Sequence, residues 1–269
     1  MLAERAISAT VIFILCLALV LAGGWIYTIG IAGILAIATW EFASMFQKGG
    51  YAPARTIITA GTFLYGATCQ FNNSLLTLSA FSLLMAVIIV YHIIVYKKHQ
   101  KTAAIDLSIS LAGIVFIAFM GSFLIRLRFL PDGLFWVILC IPPAGISDIG
   151  AFFIGNAFGR HKIVPQLSPN KSVEGYLGGV FTSIICGYGI GLLLNLYNPI
   201  FTGLKGLIIG AIVGLVCPLG DFAKSMYKRQ FSLKNTGSLI PGHGGALDRI
   251  DTWLWAGITS YFLILYFFL

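Results

Sequence analysis

The sequence predicts an all-α integral membrane protein that crosses the bilayer many times. Hydrophobic residues make up 58% of the 269 residues, and charged residues only 10%. Soluble domains, by contrast, are roughly a quarter charged. The mean hydropathy is +0.94, and apolar runs of about 17–25 residues, long enough to span a bilayer as helices, recur along the chain. Such runs are too long for barrel strands, and backbone polar groups must be satisfied inside the hydrocarbon layer, so helices are expected.

Nine apolar runs define the predicted spans, and residues 1–269 form one membrane-embedded domain with no soluble part. The second run contains Glu41 near its end, and the third and eighth runs are short. Tilted or partly re-entrant helices are therefore alternatives for these three. The predicted spans cover residues 7–22, 25–46, 56–71, 75–96, 105–125, 134–156, 173–197, 206–219 and 252–269.

The distribution of basic residues predicts the orientation of these spans. With the amino terminus in the cytoplasm, fourteen of the seventeen Lys and Arg residues fall in cytoplasmic loops, and only Arg126, Arg128 and Lys205 lie opposite. This positive-inside asymmetry predicts a multi-pass protein of the cell (inner) membrane with a cytoplasmic amino terminus and an external carboxyl terminus. The net charge of +8 then needs no nucleic-acid partner, because this bias and a polyphosphate site account for it.

A polar segment at residues 220–251, between the last two spans, is the strongest functional signal. It holds three of the nine acidic residues and five of the seventeen basic ones. The carboxylates Asp221, Asp248 and Asp251 are oxygen donors of the kind that Mg²⁺ prefers. The cations suited to phosphate contacts are Lys228, Arg229, Lys234 and Arg249.

Residue spacing in this segment predicts two functional helix faces. Asp221 and Ser225 are four residues apart, with Lys228 or Arg229 one turn further, so a helix would present acid, hydroxyl and base in one stripe. Asp248 and Asp251 would share a face in the same way. Between these faces, the glycines of the run 241–245 would let backbone N–H groups approach phosphate oxygens. The residues concerned are Gly242, Gly244 and Gly245, with His243 either a loop residue or a phosphate contact.

A second polar segment follows the sixth span on the same predicted side of the membrane. Asp148 lies inside that span, and Glu174 lies at the start of the next one, where carboxylates are costly and usually functional. Ser172 and Glu174 are expected to cap the seventh helix. The isolated Glu41 is interpreted as structural, with a site-lining role as the alternative. Small residues of the seventh span are expected to form one closely packed helix face, namely Gly178, Gly179, Gly187, Gly189 and Gly191.

Together the two segments resemble the signature of bacterial CDP-diacylglycerol synthases, also called phosphatidate cytidylyltransferases. Twenty positions match in order over roughly a hundred residues. In the earlier segment they are Asp148, Gly155, Gly159, Ser168-Pro169, Lys171 and Glu174-Gly175. In the later segment they are Ser225, Lys228-Arg229, Lys234, Pro241-Gly242-His243-Gly244-Gly245, Asp248-Arg249 and Asp251.

The resemblance implies that CTP and phosphatidate from the bilayer give CDP-diacylglycerol and pyrophosphate, with Mg²⁺, in a catalytic half covering about residues 145–255. It implies catalytic roles for Asp221, Lys228, Arg229, Asp248 and Arg249, and metal binding by Asp148, Asp221, Asp248 and Asp251. Substrate binding would involve Ser168, Lys171, Glu174, Ser225, Lys234, Gly242, His243, Gly244 and Gly245. One position departs from the family, which usually has Lys-Asp where this chain has Lys234-Asn235, so no metal role is expected for Asn235.

Other classes of function remain as alternatives. A CTP-dependent lipid kinase of the polyprenol type would also join CTP to a lipid, but its product would carry no nucleotide. A transporter would place its acids near mid-span and often show repeated halves, and no internal repeat is present. A CDP-alcohol phosphotransferase would need an aspartate spacing that this sequence lacks. A homodimer is compatible with the sequence but is not indicated by it.

Overall fold

The computed structural model of the protein describes residues 2–231, 237 and 244–269, with the side chains of residues 10, 11 and 14 onward. Lys234, Asn235, Ser238, Gly242 and His243 lie outside the described residues. Within the described residues the chain is all-α, and each of the nine predicted spans falls mostly on helical residues, two of them (105–125 and 206–219) on more than one α-helix. The helices are α1 (Leu2–Ala22), α2 (Gly24–Lys48), α3 (Arg55–Thr68), α4 (Ser74–Ile94), α5 (Ala103–Gly113), α6 (Met120–Arg128), α7 (Gly133–Phe158), α8 (Val173–Asn195), α9 (Gly203–Val216), α10 (Pro218–Gln230) and α11 (Leu247–Phe267).

Seven helical stretches in the described residues are long and apolar enough to cross a membrane. Two of them join shorter helices: a π-helical segment, Ile114–Phe119, links α5 to α6, and α9 leads directly into α10. The fourteen residues of α3 extend about 21 Å, short of the roughly 30 Å hydrocarbon layer. The prediction of a protein with several membrane-crossing helices is confirmed, whereas the number nine and the orientation stay predictions.

The described helices group into two compact units. The first unit comprises residues 1–126 and 230–250. Its core contains Ala43 of α2, Ile58 of α3, Ile88 of α4 and Ile114 of the π-helical segment, all fully or almost fully buried. The carboxyl-terminal half of α2 therefore belongs to the best-packed part of this unit.

The second unit comprises residues 127–229 and 251–269. Its helices α7, α8 and α9 pack closely because glycines let their backbones approach. A Cβ atom at Gly179 would lie 2.7 Å from the carbonyl oxygen of Ser147 in α7, and one at Gly187 would overlap the carbonyl oxygen of Gly206 in α9. The glycines of α8 therefore lie on two faces of the helix, one packed against α7 and the other against α9. The prediction of a single closely packed face is wrong. Gly189 meets no atom within 4 Å, so it lies on neither face.

Candidate active site

Helix α10 carries the predicted acid, hydroxyl and base stripe. Asp221, Ser225 and Lys228 all lie within Pro218–Gln230, which is helical throughout. Residues at these spacings share one side of a helix. The predicted local geometry of this part of the site is therefore confirmed, while the chemical roles of its residues stay predictions.

Lys224 lies at the centre of the charged cluster in the second unit. Its Nζ is 3.0 Å from Asp221 Oδ1 and 2.6 Å from Asp251 Oδ2. Only 5% of Lys224 and 3% of Asp251 is exposed, although both are charged residues. Charges as buried as these are normally paired, because an unpaired one would lose its hydration without compensation. The Lys224 ammonium group therefore bridges the carboxylates of Asp221 and Asp251, two of the predicted metal ligands.

Lys171, which precedes the Ser172 cap of α8, joins the same cluster from the 160–172 loop. Its Nζ forms an ion pair with Asp221 Oδ2 and lies 4.4 Å from the centre of the Phe222 ring. Because Asp221 faces Lys171 through one oxygen and Lys224 through the other, both of its oxygens contact a cation. This arrangement brings together residues from the two polar segments.

The carboxylates of this cluster suit a Mg²⁺ ion whose remaining coordination positions are filled by substrate and water. Asp251 is buried and its Oδ2 contacts Lys224 Nζ, so a metal ion at this position would share the carboxylate with the lysine. Among residues 2–231, 237 and 244–269, no three Asp, Glu, His or Cys side chains already converge as a metal site. Magnesium commonly takes one or two carboxylates and keeps its other positions for water and phosphate oxygens. The pair Asp221 and Asp251 fits that requirement, while the described residues contain no preformed three-carboxylate cage.

Asp148 belongs to the electrostatic surroundings of this pair. It is exposed at the surface of α7, six residues beyond Pro142 in that helix. The charges of Asp251, Asp221, Lys171 and Lys224 all act on its carboxylate. The structure thus places Asp148 within electrostatic range of the other acids, and its metal-binding role stays a prediction.

Glu174 organises the loop that carries Lys171. Its carboxylate accepts hydrogen bonds from the backbone N–H groups of Arg160, at 3.0 Å, and His161, at 3.2 Å, and lies 2.5 Å from His161 Nδ1. Ser172 caps α8 by accepting a bond from Gly175 N at 3.2 Å, as predicted. These contacts fix both ends of the loop, so Glu174 has a clear positional task beside its predicted contact with substrate.

The same loop is attached to the end of α10. Arg229 donates from Nε to the carbonyl oxygen of Leu167 at 3.1 Å, one residue before Ser168. Ser168 itself is half-buried in a turn and accepts a backbone bond from Lys171 N at 3.3 Å. Arg229 is exposed, so the rest of its guanidinium group is accessible.

In the first unit, the segment leading into α11 is held by two carboxylates. Gly245 donates its N–H to Asp248 Oδ2 at 3.3 Å. Glu41 of α2 accepts from Ala246 N at 3.0 Å and from Leu247 N at 2.9 Å. Gly244 has φ +85°, a conformation that glycine adopts without strain. Asp248 and Asp251 both lie in the first turns of α11, so they share one face of that helix as predicted.

Sequence reasoning missed the contributions of Lys224 and Glu41. The sequence pattern assigns no role to Lys224, and it indicates a structural role for Glu41 without naming a partner. The available signals were the three-residue spacing from Asp221 to Lys224 and the cost of a carboxylate in an apolar span. Neither signal predicts the contact of Lys224 with Asp251 or that of Glu41 with Leu247, because each contact joins residues that are distant in sequence.

Comparisons with known proteins identify the family of this chain. The family model described as Cytidylyltransferase family matches residues 3–267. A phosphatidate cytidylyltransferase of Synechocystis sp. is 32% identical, over 97% of this chain and 96% of its own length. Proteins of the same name from Staphylococcus aureus and Mycobacterium leprae are similar too. The Staphylococcus aureus protein is 29% identical, over 93% of this chain and 94% of its own length. The Mycobacterium leprae protein is 27% identical, over 89% of this chain and 80% of its own length.

Proposed function

Because this chain belongs to the cytidylyltransferase family, we infer that it is a phosphatidate cytidylyltransferase, a nucleotidyltransferase of phospholipid biosynthesis. It converts CTP and phosphatidate to CDP-diacylglycerol and pyrophosphate. The observation that carries this proposal is the similarity to curated enzymes of that name over nearly the whole chain. The cluster of Lys171, Asp221, Lys224 and Asp251 supplies charges of the kind that this reaction needs.

The reaction needs positioning and charge neutralisation more than a strong base. The phosphomonoester of phosphatidate, with a second pKa of about 6, is mostly dianionic near neutral pH. One of its oxygens attacks the α-phosphorus of CTP, and the bond from that phosphorus to the bridging oxygen of the leaving pyrophosphate breaks. Two anions must therefore approach each other while negative charge grows on the leaving group.

We assign the acidic residues to the metal. Asp221 and Asp251 would hold Mg²⁺ together with Asp148, and Asp248 is a further candidate ligand because it precedes Asp251 by three residues on α11. When bound, the ion would neutralise phosphate oxygens and stabilise charge on the leaving pyrophosphate. Both carboxylates contact Lys224 Nζ, so they lie close enough together to share one cation, and this supports the assignment.

We assign the basic residues to the phosphates. Lys171 and Lys228 would act as point charges, and Arg229 and Arg249 would bind phosphate oxygens through two N–H groups. Arg249 and part of Lys171 are accessible, as contact with a substrate requires. Ser168, Ser225, Lys234 and the glycine-rich run 242–245 are proposed as further substrate contacts.

The proposed orientation gives the site a cytoplasmic position. With nine spans, a cytoplasmic amino terminus and an external carboxyl terminus, both polar segments face the compartment that contains CTP. Phosphatidate would enter sideways from the membrane. The excess of basic residues on that side supports this arrangement through the positive-inside rule.

Doubly labelled CTP tests the reaction directly. Purified protein is incubated with phosphatidate, Mg²⁺ and CTP carrying one label in cytidine and another in the γ-phosphate. The proposal expects the cytidine label in lipid and the γ label in pyrophosphate. If the γ label enters lipid and the cytidine label does not, the enzyme is a lipid kinase and this proposal is wrong.

A further inference from the structure

Glu41 is held in a rigid part of the first unit. On either side of it in α2, Ala38, Phe42 and Ala43 are fully buried, and Glu41 itself is 6% exposed. The ring of Phe42 lies close against Gly113 of α5, where a Cβ atom would be 3.0 Å from it. Because interior packing of this kind leaves little freedom of movement, the position of the Glu41 carboxylate is fixed by the fold.

The partners of this carboxylate are backbone donors at the start of α11. The first N–H groups of a helix have no partner inside the helix, and the positive end of the helix dipole attracts an anion. Glu41 satisfies the N–H groups of Ala246 and Leu247, at 3.0 and 2.9 Å. Bonds of this kind, with an ionised acceptor, are about twice as strong as neutral ones. Glu41 thus caps α11 from 205 residues away in sequence.

Two glycines, Gly237 and Gly245, pack directly against the same carboxylate. A Cβ atom at Gly237 would lie 2.5 Å from Glu41 Oε1, and one at Gly245 would overlap Oε2. Any larger residue at either position would push the chain away from Glu41. The segment therefore approaches Glu41 at two points, at Gly237 and at Gly245, the last residue of the glycine-rich run 241–245.

The other end of the segment rests on the same helix. The Phe231 ring lies 5.0 Å from that of Phe46 and 6.1 Å from that of Tyr51. Gly49, directly after α2, leaves room for Phe231, because a Cβ atom there would overlap its ring. The segment from Phe231 to Leu247 is therefore attached to the carboxyl-terminal half of α2 at both ends.

We propose that Glu41 is a positioning residue for cytidylyl transfer. By holding Gly245, Ala246 and Leu247 on α2, it fixes the backbone that carries Asp248 and Arg249, and so the direction in which these side chains meet the substrates. The inference rests on the proposed roles of Asp248 and Arg249. It adds a residue from the amino-terminal half of the chain, far in sequence from both polar segments, to those on which the reaction depends.

Variants of Glu41 test the proposal through two measurements, amide hydrogen exchange and steady-state kinetics. Glu41→Ala removes both acceptors, whereas Glu41→Gln keeps one carbonyl oxygen but turns an NH₂ group toward a backbone donor. Thr39→Val is the matched control on the same helix. Thr39 is fully buried and hydrogen-bonds Leu35 O at 2.9 Å and Thr62 Oγ1 at 3.2 Å, so the nearly isosteric valine removes two hydrogen bonds that do not involve residues 244–250.

In Glu41→Ala we expect exchange in the peptide covering residues 244–250 to quicken about tenfold, because the capped N–H groups lose their acceptors. We expect kcat per folded molecule to fall about a hundredfold, the order that misplaced catalytic groups cost, and the KM for phosphatidate to stay within about threefold. Glu41→Gln should be intermediate in both measurements. Thr39→Val should lower thermal stability and leave both measurements unchanged.

Two results would overturn the proposal. If residues 244–250 of folded Glu41→Ala exchange their amide hydrogens as slowly as in the wild type, Glu41 does not hold the segment. Faster exchange with a wild-type kcat would mean that Glu41 is a structural cap only. If Glu41→Ala does not fold, Glu41→Gln is judged by the same criteria. Absence of cytidylyl transfer in the wild type would instead contradict the proposed function, while the exchange data would still decide whether Glu41 holds the segment.

Discussion

Lys224 Nζ lies 2.6 Å from Asp251 Oδ2 in the interior of the second unit. The same ammonium group is 3.0 Å from Asp221 Oδ1, so one lysine neutralises two carboxylates that would otherwise repel each other. A cation from outside must share these carboxylates with Lys224. The site is therefore partly neutralised by the chain itself before any substrate or metal binds.

The first prediction concerns Lys224→Met, which keeps the length of the side chain and removes its charge. We expect the free energy of unfolding to fall by on the order of 3 kcal/mol, because the buried Asp251 carboxylate loses its counter-charge and Asp221 keeps only Lys171. Saturating Mg²⁺ should restore more stability to the variant than it adds to the wild type, because a divalent ion can replace the missing charge. Unfolding in detergent, with and without Mg²⁺, measures both effects.

Lys162→Met is the control for this experiment, because Lys162 is exposed and its replacement should change stability by only about 0.5 kcal/mol. Equal stability of Lys224→Met and the wild type, with equal responses to Mg²⁺, would show that Lys224 does not stabilise the acidic pair.

The second prediction compares Asp248→Asn with Asn235→Ala. The asparagine keeps an oxygen that can accept the bond from Gly245 N, now 3.3 Å long, but loses the charge that attracts a metal. We expect the rate of Asp248→Asn at saturating Mg²⁺ to fall at least about a hundredfold, which is about 3 kcal/mol of transition-state stabilisation. Asn235→Ala should be far milder, because Asn235 is proposed to contribute no essential ligand.

Both rates are measured on protein whose folding has been verified by its thermal unfolding. Near-normal activity of Asp248→Asn, or an equal loss in the two variants, would contradict this assignment of roles.

The third prediction uses two glycines of α8 that lie two residues apart. Gly187→Ala should destabilise the protein by about 1–3 kcal/mol, because the new methyl group would overlap the Gly206 carbonyl oxygen and force α9 to shift. Gly189→Ala, where nothing lies within 4 Å, should be neutral or stabilise by up to about 1 kcal/mol, since alanine favours helix. Thermal unfolding of both variants measures the contrast, and similar effects at the two positions would refute this packing of α8 against α9.

The fourth prediction concerns orientation. In a background free of cysteine, Ser238→Cys should react with a membrane-impermeant thiol reagent only from the cytoplasmic side, because the positive-inside rule places residues 220–251 there. Intact cells and inside-out vesicles provide the two sides for comparison. Labelling of intact cells from outside would reverse the proposed topology.

Much of the fold follows from short-range patterns. The apolar runs locate the helices, and Ser172 marks the start of α8 correctly, because a cap depends on residues three positions apart. The division of the glycines between two faces of α8 does not follow from spacing alone. Gly179 and Gly187 face different helices, and only the tertiary arrangement determines which neighbour each one meets.

The acidic and basic residues of the site follow from the sequence as a set, but their pairing does not. The pattern of α10 predicts that Asp221 and Ser225 share a face, whereas it cannot predict that Lys224 reaches Asp251 on another helix. The capping of α11 by Glu41 depends on contacts across more than two hundred residues. Long-range electrostatic pairing of this kind is determined by how the helices pack.

The direct continuation of α9 into α10 has a mechanical consequence. The apolar helix α9 has 14 residues, about 21 Å of helix, against a hydrocarbon layer of roughly 30 Å, and the polar helix α10 continues it. A hydrophobic stretch shorter than the hydrocarbon layer is accommodated by local thinning of the bilayer. Because α10 carries Asp221 and Lys228, a change in the depth of α9 would move these side chains relative to the lipid headgroups. We therefore expect the rate of this enzyme to depend on the acyl-chain length of the surrounding lipids.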